Sequence, residues 1–341
     1  MAGQRPVATL ATVAEAAGVS RQTVSNALNS PELLRPDTLA RVQEAIETLG
    51  YRPNRAARNL RTRASHLVGL RVEPALEGTA SGLMDRFLHS LVETCRTADL
   101  HVLLFTAEDV NDPLDGYDGL LQSAAVDAFV VTDTYRGNPA ASWLDQHQVP
   151  FVAFGRPWGE PTATHPWVDV DGHAGVAAAV DHLVDRGHRR IAWVGWQDTS
   201  FIGEDRRGGW LARMTERGLP TEGWELRGED TVDYGRRAAH DLLDRAEAPT
   251  ALLCVSDTVA MGALHALAER GIHPGPGGVG VVGFDDSLAA QLVTPGLTSL
   301  RQPLEQIGVE VVRLLKDRLE LRTSDEPHVI LSPELVVRGT T

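Results

Sequence analysis

The sequence predicts a multidomain protein with an all-α helix-turn-helix head and an α/β body of two lobes. The first fifty residues contain three short amphipathic helix patterns, separated by residues that stop and start helices. The rest of the chain alternates short apolar runs with helical patterns. That length of β-α repeats suits two lobes better than one sheet. We expect the head at residues 1–51, a hinge or linker at 52–66 and the body at 67–341.

Charge is divided unevenly along the chain. The 341 residues have a formal net charge of −14, but residues 1–66 contain nine arginines and only five acidic residues. Such an asymmetry suggests that the basic segment binds nucleic acid. No apolar run is long enough to span a membrane, the N-terminus has no signal-peptide centre, and Cys95 and Cys254 lack a CxxC partner. We therefore expect a cytoplasmic protein with buried, unpaired cysteines and no membrane partner.

The head contains stop and start residues for three helices. Gly18 should end the first helix, because glycine accepts the left-handed conformation of a tight helix end. Ser20 is an N-cap for the second helix, and Pro36 suits the first position of the third, which Gly50 closes. The residues expected to face inward are Leu10, Val13, Ala14, Ala17, Val24, Ala27, Leu28, Leu39, Val42, Ile46 and Leu49.

Polar side chains form the outward face of the second helix. Two short helices joined by a glycine-containing turn, with a third completing the core, form a helix-turn-helix whose second helix enters the DNA major groove. Arg21, Gln22, Ser25 and Asn26 include the side-chain types that make bidentate contacts with guanine and adenine. The alternative is an ordinary three-helix bundle with a solvated face, on which glutamate and lysine are more usual.

Residues 52–66 contain five arginines and no acidic residue. One interpretation is a solvated basic linker. The other is a short helix capped by Asn54, with Ala57 and Leu60 on one face. A helix this short is marginal alone, so it should form only on DNA, where its arginines neutralise phosphates.

Seven apolar runs in the body are predicted to be buried parallel strands. They are Val68–Val72, Val102–Phe105, Ala128–Thr132, Pro150–Phe154, Ile191–Gly195, Ala251–Val255 and Val279–Phe284. Helical patterns lie between most of them, which predicts parallel sheets covered by helices on both faces.

Polar and aromatic residues follow several of these runs. Ligands of open α/β sheets bind at the carboxyl ends of the strands, where Asp133, Arg156, Trp158 and Asp285 occur. Carboxylates and arginines hold the hydroxyls of a sugar, and an aromatic ring covers its apolar face. We therefore expect a small-molecule site between the lobes.

Two head segments carry a specific resemblance to a known family. V-A-E-A-A-G-V-S-R-Q-T-V-S-N-A-L-N and L-G-Y-R-P-N-R-A-A-R-N-L resemble the lactose-repressor/galactose-repressor (LacI/GalR) family, and the likeness extends along the chain. It implies a periplasmic-binding-protein-like body and a hinge in the DNA minor groove, where Leu60 would wedge between base pairs. The residues expected to contact DNA are Thr9, Ser20, Arg21, Gln22, Thr23, Ser25, Asn26, Asn29, Tyr51, Asn54, Arg55, Ala57 and Leu60.

The same resemblance implies roles in the body. D-R-R-G-G-W is similar to the segment whose first arginine, Arg206 here, holds the effector. V-G-F-D-D is similar to the segment whose first aspartate, Asp285, binds effector hydroxyls. The family often has asparagine where this chain has Ser256, which leaves the effector's identity open. Tyr234 is expected to stack on the ligand, and Leu304 to line the cleft. The expected effector-binding residues are Asp133, Arg156, Trp158, Arg206, Tyr234, Ser256, Asp285 and Leu304.

Other functional classes fit the sequence less well. G-P-G-G-V-G-V-V-G is glycine-rich but precedes a strand, whereas a dinucleotide-binding loop follows one. Asp169 with Asp171, or Asp285 with Asp286, could form a carboxylate pair, but nothing supplies the rest of a glycosidase site. Asp257 and Asp286 are expected to cap helices. A periplasmic sugar-binding protein would share the body but not the head. We expect no enzyme activity, no metal and no cofactor.

These observations predict a DNA-binding transcriptional regulator, in the simplest case a repressor of carbohydrate uptake or metabolism genes. An effector bound between the lobes would control it allosterically, and the aromatic residues favour a sugar or oligosaccharide over a purine. One head contacts few base pairs, so we expect a homodimer on pseudo-palindromic double-stranded operator DNA.

Overall fold

The computed structural model describes residues 8–51, 64–72, 82–109, 112–132 and 134–341. The chain divides into two compact units, Met1–Ser65 and His66–Thr341.

In its described residues, the first unit contains the three helices of the head. They are α1 (Leu10–Ala17), α2 (Arg21–Asn29) and α3 (Pro36–Leu49), with a 3-10 turn at Pro31–Leu33. Gly18 and Gly50 end α1 and α3 in the left-handed conformation, and the Ser20 side chain caps α2 by accepting a hydrogen bond from the Thr23 amide. These starts and stops confirm the predicted helix pattern.

The head core contains most of the predicted inward residues, but Leu39 is only half-buried and lies outside the core cluster. The buried residues are Val13, Ala14, Ala17, Val24, Val42, Ala45 and Tyr51. Leu49 was expected to face inward, but it is 40% exposed. The end of α3 is instead closed by Ala45 and by Tyr51, whose amide donates to the Ile46 carbonyl. The helical spacing therefore identified the correct face but extended it one turn too far.

The second unit, the body, alternates strands and helices. The elements up to the first crossing between lobes are β1 (Leu67–Arg71), α4 (Gly82–Thr97), β2 (His101–Phe105), α5 (Tyr117–Gln122), β3 (Ala128–Val131), α6 (Ala140–Gln146), β4 (Phe151–Phe154) and β5 (Trp167–Val170). The elements that follow are α7 (Gly172–Asp185), β6 (Ile191–Trp196), α8 (Phe201–Glu216), β7 (Glu225–Gly228), α9 (Val232–Leu243), β8 (Ala251–Cys254), α10 (Asp257–Glu269), β9 (Gly280–Phe284), α11 (Leu288–Leu292) and β10 (Thr298–Arg301). The chain then continues through α12 (Leu304–Leu319), β11 (His328–Leu331) and β12 (Glu334–Val336).

The strands form two six-stranded sheets, one in each lobe. Lobe 1 has the order β11-β5-β4-β3-β1-β2, and lobe 2 has the order β12-β10-β9-β8-β6-β7. Among the strands that the structure describes, all pairings are parallel except that of β12 with β10. The chain passes between the lobes after β5, after β10 and after β11. Three chain segments therefore connect the lobes. The two-lobed α/β architecture is confirmed.

All seven predicted strands are present within a residue or two of their expected ends, but five others were missed. The missed strands are β5, β7, β10, β11 and β12. The strands β7, β11 and β12 are only partly buried at the sheet edges, while β5 and β10 carry polar residues in buried positions. A search for continuous apolar runs cannot find either kind.

Buried polar groups in lobe 2 correct two expectations about helix caps. Asp257 and Asp286 do not cap helices, because the side chains of Ser256 and Ser287 cap α10 and α11. Cys95 and Cys254 are buried and unpaired, as expected. Among the described helices, none is long and apolar enough to cross a membrane.

A close contact between α9 and α10 gives a test of the lobe 2 core. A Cβ atom added at Gly262 would lie 2.1 Å from the Val232 carbonyl oxygen and 2.5 Å from the Arg236 amide nitrogen. Gly262→Ala should therefore cost about 1–3 kcal/mol of body stability, because the two helix backbones must separate. Thermal unfolding of the full chain measures this as a lower melting temperature.

Gly119→Ala is the matched control, because a Cβ atom at Gly119 in α5 meets nothing within 4 Å. This exchange should leave stability unchanged or raise it by about 0.5–1 kcal/mol. Equal effects of the two exchanges would contradict the packing of α9 against α10.

Candidate functional site

The outward face of α2 is polar and free of acidic residues. Arg21 and Gln22 are exposed, and the Gln22 Nε2 donates to Asn26 Oδ1 at 3.0 Å. Val24 faces the core with no exposed surface. Arg21, Gln22 and Asn26 therefore lie on one accessible face, with the charge and hydrogen-bonding groups needed for base edges and phosphates.

Several other residues expected to contact DNA have local structural contacts. Thr9 forms a capping box with Thr12 at the start of α1. The hydroxyls of Ser20 and Thr23 lie 2.9 Å apart at the start of α2. Tyr51 is 8% exposed and packs in the head core, where burial raises its pKa.

The structure describes only some of the other residues that were expected to contact DNA. Ser25 is half-buried in α2, and Asn29 is its last residue. Asn54, Arg55, Ala57 and Leu60 lie outside the described residues, as does Asp133 in the body.

Two adjoining cavities lie between the two lobes of the body, and we call them together the cleft. The larger, of about 440 Å³, has Asp285 in its lining and is within the volume range of small-molecule sites; the smaller has a volume of about 150 Å³, and Leu83 lines both. Lobe 1 contributes residues of α4 and residues at the ends of β3, β4 and β5; lobe 2 contributes residues of α8, α10 and α11 and residues at the end of β9. The side chains that line the smaller cavity include Phe154, Arg156, Trp158, Asp169, Asp205, Arg206, Phe284 and Gln302.

Arg206 is the most buried arginine of the cleft, with 5% of its surface exposed. Its Nη1 donates to the Val255 carbonyl at 2.8 Å, and its Nη2 lies 3.8 Å from Asp285 Oδ1. The guanidinium carbon is 3.6 Å from the centre of the Phe284 ring. Burial lowers the pKa of Arg206, and the charge of Asp285 opposes this effect. The structure thus brings together the two residues that the D-R-R-G-G-W and V-G-F-D-D segments indicated.

Asp285 follows β9 with a φ of +107°, a conformation that residues other than glycine rarely adopt. Its Oδ1 accepts a hydrogen bond from Gln302 Nε2 at 2.6 Å. Burial raises the pKa of Asp285 to about 7, although Arg206 acts in the opposite direction. The carboxyl therefore changes its charge near neutral pH.

Arg156 joins the two lobes electrostatically. Its Nε donates to Asp169 Oδ2 at 2.5 Å within lobe 1, and its Nη2 donates to Asp205 Oδ2 at 3.1 Å in lobe 2. Burial alone would lower the pKa of Arg156, but the two carboxylates raise it. The guanidinium also lies 4.4 Å from the centre of the Trp158 ring, which is therefore held at the wall of the cleft.

Three buried N–H groups in and around the cleft have no hydrogen-bond partner among the described residues. They are Trp158 Nε1, Trp196 Nε1 and Arg206 Nε. Trp196 is part of the same cluster, since the Arg206 guanidinium lies 5.2 Å from its ring centre. A buried donor without a partner is costly. Ligand oxygens could satisfy these donors, whereas an apolar ligand could not.

Three expected effector-binding residues occupy other places. Ser256 is 1% exposed, caps α10 and donates to Asp230 Oδ1 at 2.5 Å. Tyr234 packs in the lobe 2 core, and Leu304 has no exposed surface at the start of α12. In this structure neither Tyr234 nor Leu304 lines the cleft, because both fill gaps between helices and sheets.

Sequence reasoning missed Asp205, Gln302 and Phe284 as cleft residues. Gln302 follows β10, a strand that was not predicted, so its position at a strand end was hidden. Asp205 directly precedes Arg206, and Phe284 directly precedes Asp285. Asp169 and Asp171 do not form a carboxylate pair, since Asp169 binds Arg156 and Asp171 caps α7. The described residues contain no His, Cys, Asp or Glu group suited to a metal ion.

Comparison with known proteins identifies the family. Residues 9–54 match the model for bacterial regulatory proteins of the lacI family, and residues 180–341 match a periplasmic binding protein-like domain. The HTH-type transcriptional regulator CelR of Thermobifida fusca is 35% identical over 344 residues, covering 97% of each chain. The chain belongs to the LacI family.

Two solved structures of similar proteins cover nearly the whole chain. A transcriptional regulator CelR–cellobiose complex has a TM-score of 0.73 at 32% identity and covers 99% of this chain and 100% of its own. A lac repressor dimer bound to operator and the anti-inducer ONPF has a TM-score of 0.81 at 25% identity, covering 98% and 99%. This LacI-family member is therefore a transcriptional regulator with a helix-turn-helix head, and not an enzyme.

Proposed function

We propose that this LacI-family regulator represses genes of carbohydrate uptake or metabolism and that a sugar bound in the cleft sets its affinity for operator DNA. The observation that carries the proposal is the Arg206–Asp285 pair, whose two charged groups lie 3.8 Å apart where the two cavities of the cleft adjoin. The pair presents donors and acceptors to the same space, which suits the hydroxyl groups of a sugar.

The chemistry of the cleft supports a neutral sugar. Its arginines, Arg156 and Arg206, face the carboxyl groups of Asp169, Asp205 and Asp285, so a ligand needs no net charge for balance. The unpartnered indole and guanidinium N–H groups can donate to hydroxyl oxygens, and aromatic rings can cover a pyranose face. The relative solved with cellobiose makes cellobiose the first probe.

The head supports recognition of operator DNA in the major groove. Arg21, Gln22 and Asn26 are proposed to contact base edges, and residues 52–66 are proposed to form a hinge in which Leu60 enters the minor groove. Two heads on a pseudo-palindromic operator require a homodimer, and a relative was solved as a dimer on operator DNA. We place this protein in the cytoplasm, where its DNA target lies.

The three crossings between the lobes supply a physical basis for control. A sugar that contacts residues of both lobes stabilises one relative position of the lobes over the other. The Arg156–Asp205 ion pair already joins the lobes across the cleft. A ligand can therefore shift an existing balance between lobe positions, and operator DNA must change sugar affinity by the same factor.

Loss of the charged pair in the cleft should separate sugar sensing from DNA binding. Arg206→Ala and Asp285→Ala should each weaken cellobiose binding by about 10- to 100-fold, since each removes a hydrogen-bonding partner that carries a charge. Operator affinity without sugar should stay within about twofold. Calorimetry with cellobiose and anisotropy of a labelled operator measure the two quantities.

Arg207→Ala is the control for this pair of variants. Arg207 is adjacent in sequence, but its Nε is paired with Glu225 at 2.7 Å, and it does not line the cleft. Its exchange should leave cellobiose affinity unchanged. If wild type binds cellobiose and both cleft variants bind it equally well, the sugar site lies elsewhere.

Gln22→Ala should change which operator variants are bound, because Gln22 is exposed on the outward face of α2. The expected loss is about 1–3 kcal/mol at the base pair it contacts and little elsewhere. Selection from a randomised operator library compares wild type with the variant. Gln43→Ala, at an exposed position of α3, is the matched exchange and should preserve the preferred sequence. A uniform weakening on every operator would show that Gln22 does not select bases.

Sugar affinity should fall as the pH is lowered through 7. Asp285 has a pKa of about 7, and its neutral form loses charge-assisted acceptance from sugar hydroxyls. Sugar affinity falls at lower pH because protonation removes the ionised Asp285 carboxylate that binds the sugar. Below the pKa the loss should approach about tenfold per pH unit. Calorimetry between about pH 5.5 and pH 8 tests this; Asp285→Asn should bind weakly with little pH dependence. A flat wild-type profile would contradict the role of the ionised carboxylate.

A further inference from the structure

Two consecutive residues at the end of β9 have a left-handed backbone conformation. Asp285 has a φ of +107° and Asp286 a φ of +49°. Such values are unfavourable for residues with a Cβ atom, and they persist only where surrounding contacts fix them. The contacts that fix this turn therefore decide where the Asp285 carboxylate lies.

Asp286 is clamped between two arginines from different segments. Its Oδ2 accepts from Arg301 Nε at 2.7 Å, and its Oδ1 lies 2.6 Å from Arg338 Nη2 in ion-pair geometry. The Asp286 side chain is 1% exposed. Arg301 ends β10, and Arg338 follows β12. Since a buried carboxylate must be paired, the Asp286 side chain can point only toward these arginines.

The backbone amides of the turn are also hydrogen-bonded to neighbouring elements. The Asp285 amide donates to the Leu300 carbonyl at 2.7 Å, and the Asp286 amide donates to Ser299 Oγ at 3.0 Å. The Ser287 amide donates to Asp257 Oδ2 at 2.6 Å, and Ser299 Oγ donates to the other oxygen of the same carboxylate at 2.6 Å. Every amide from 285 to 287 is thus bonded to a neighbouring element.

The opposite side of the turn carries the sugar-facing group. The Asp285 side chain is directed to Gln302 Nε2 at 2.6 Å and to Arg206 Nη2 at 3.8 Å. Adjacent residues thus have opposite tasks, since Asp286 anchors the turn in lobe 2 and Asp285 faces the cleft. A helix-capping role does not account for Asp286, because Ser287 caps α11.

We propose that Asp286 is a positioning residue for sugar recognition: its ion pairs with Arg301 and Arg338 hold Asp285 in the left-handed conformation that keeps the Asp285 carboxylate in the cleft. The effect of Asp286 on sugar affinity rests on the proposed function. The positioning itself is a property of the ligand-free protein, so the two can be tested separately.

Asp286→Asn is the central variant, because it keeps the shape of the side chain and removes its charge. In the ligand-free protein, hydrogen exchange of a peptide covering residues 284–292 should become at least about fivefold faster, since the turn is released. Cellobiose affinity should fall at least about tenfold, while operator affinity without sugar stays within about twofold. The pH midpoint of cellobiose affinity should move below that of wild type, because a released Asp285 is better hydrated.

Asp181→Asn is the matched control in the same lobe. Asp181 is also paired with two arginines, Arg213 and Arg217, but between α7 and α8. Its exchange should leave the exchange rate of the 284–292 peptide, cellobiose affinity and the pH midpoint unchanged. If Asp286→Asn does not fold, Arg301→Gln removes the ion pair with Asp286, together with an exposed one to Glu334, and should weaken cellobiose binding about threefold or more.

Unchanged hydrogen exchange of the 284–292 peptide in Asp286→Asn, or in Arg301→Gln where that variant replaces it, would overturn the positioning role. A cellobiose affinity and a pH midpoint equal to those of wild type would also overturn the positioning role. Wild-type protein that binds neither cellobiose nor another sugar would instead overturn the proposed function, and the ligand-free exchange measurement would still decide the role of Asp286.

Discussion

Arg206 carries a positive charge that is almost completely removed from solvent, and the arrangement of the cleft follows from the need to pair that charge. A buried guanidinium is tolerated only beside carboxylates, carbonyl oxygens and aromatic faces. Asp285, the Val255 carbonyl and the Phe284 ring supply these contacts at the ends of two adjacent strands, β8 and β9. One guanidinium N–H has no partner in the described part of the chain. The site is therefore organised before ligand arrives and retains a group for the ligand to satisfy.

The same requirement links the two lobes. Arg156 is balanced by Asp169 from its own lobe and by Asp205 from the other lobe, directly beside Arg206. The charges on the two sides of the cleft are consequently not independent. A ligand that competes for Arg156 or Asp205 alters the attraction between lobes, whereas a ligand bound to one lobe alone would not. This gives a physical route from sugar binding to a change in lobe position.

Much of the architecture was accessible from the sequence because strong local signals exist. Gly18, Ser20, Pro36 and Gly50 define the head helices through backbone conformation and capping, which depend on few neighbours. The seven continuous apolar runs found the interior strands. The missed strand β10 illustrates the limit, since Thr298 and Ser299 are buried only because their hydroxyls bond within lobe 2. Such tertiary hydrogen bonds leave no mark on hydrophobic periodicity.

Part of the candidate site was also predicted from local sequence signals. Arg156, Trp158 and Asp285 follow apolar strands, so their place at the sheet ends could be foreseen, and the family resemblance added Arg206. The partners Asp205 and Gln302 could not be foreseen, since one lies inside a helix and the other follows a polar strand. Tyr234 and Leu304 were assigned from resemblance alone, and both pack in the core. Their burial depends on the packing of α9 and α12, which sequence spacing does not determine.

The most direct test of the account is the affinity of cellobiose, or of another sugar that binds, for the free protein and for the protein saturated with its selected operator. Thermodynamic linkage requires the ratio of these affinities to equal the ratio of operator affinities with and without sugar. We expect both ratios to differ from one by about 5- to 150-fold and to agree with each other. Sugar binding in the cleft that leaves both ratios at one would contradict control of DNA binding by the cleft.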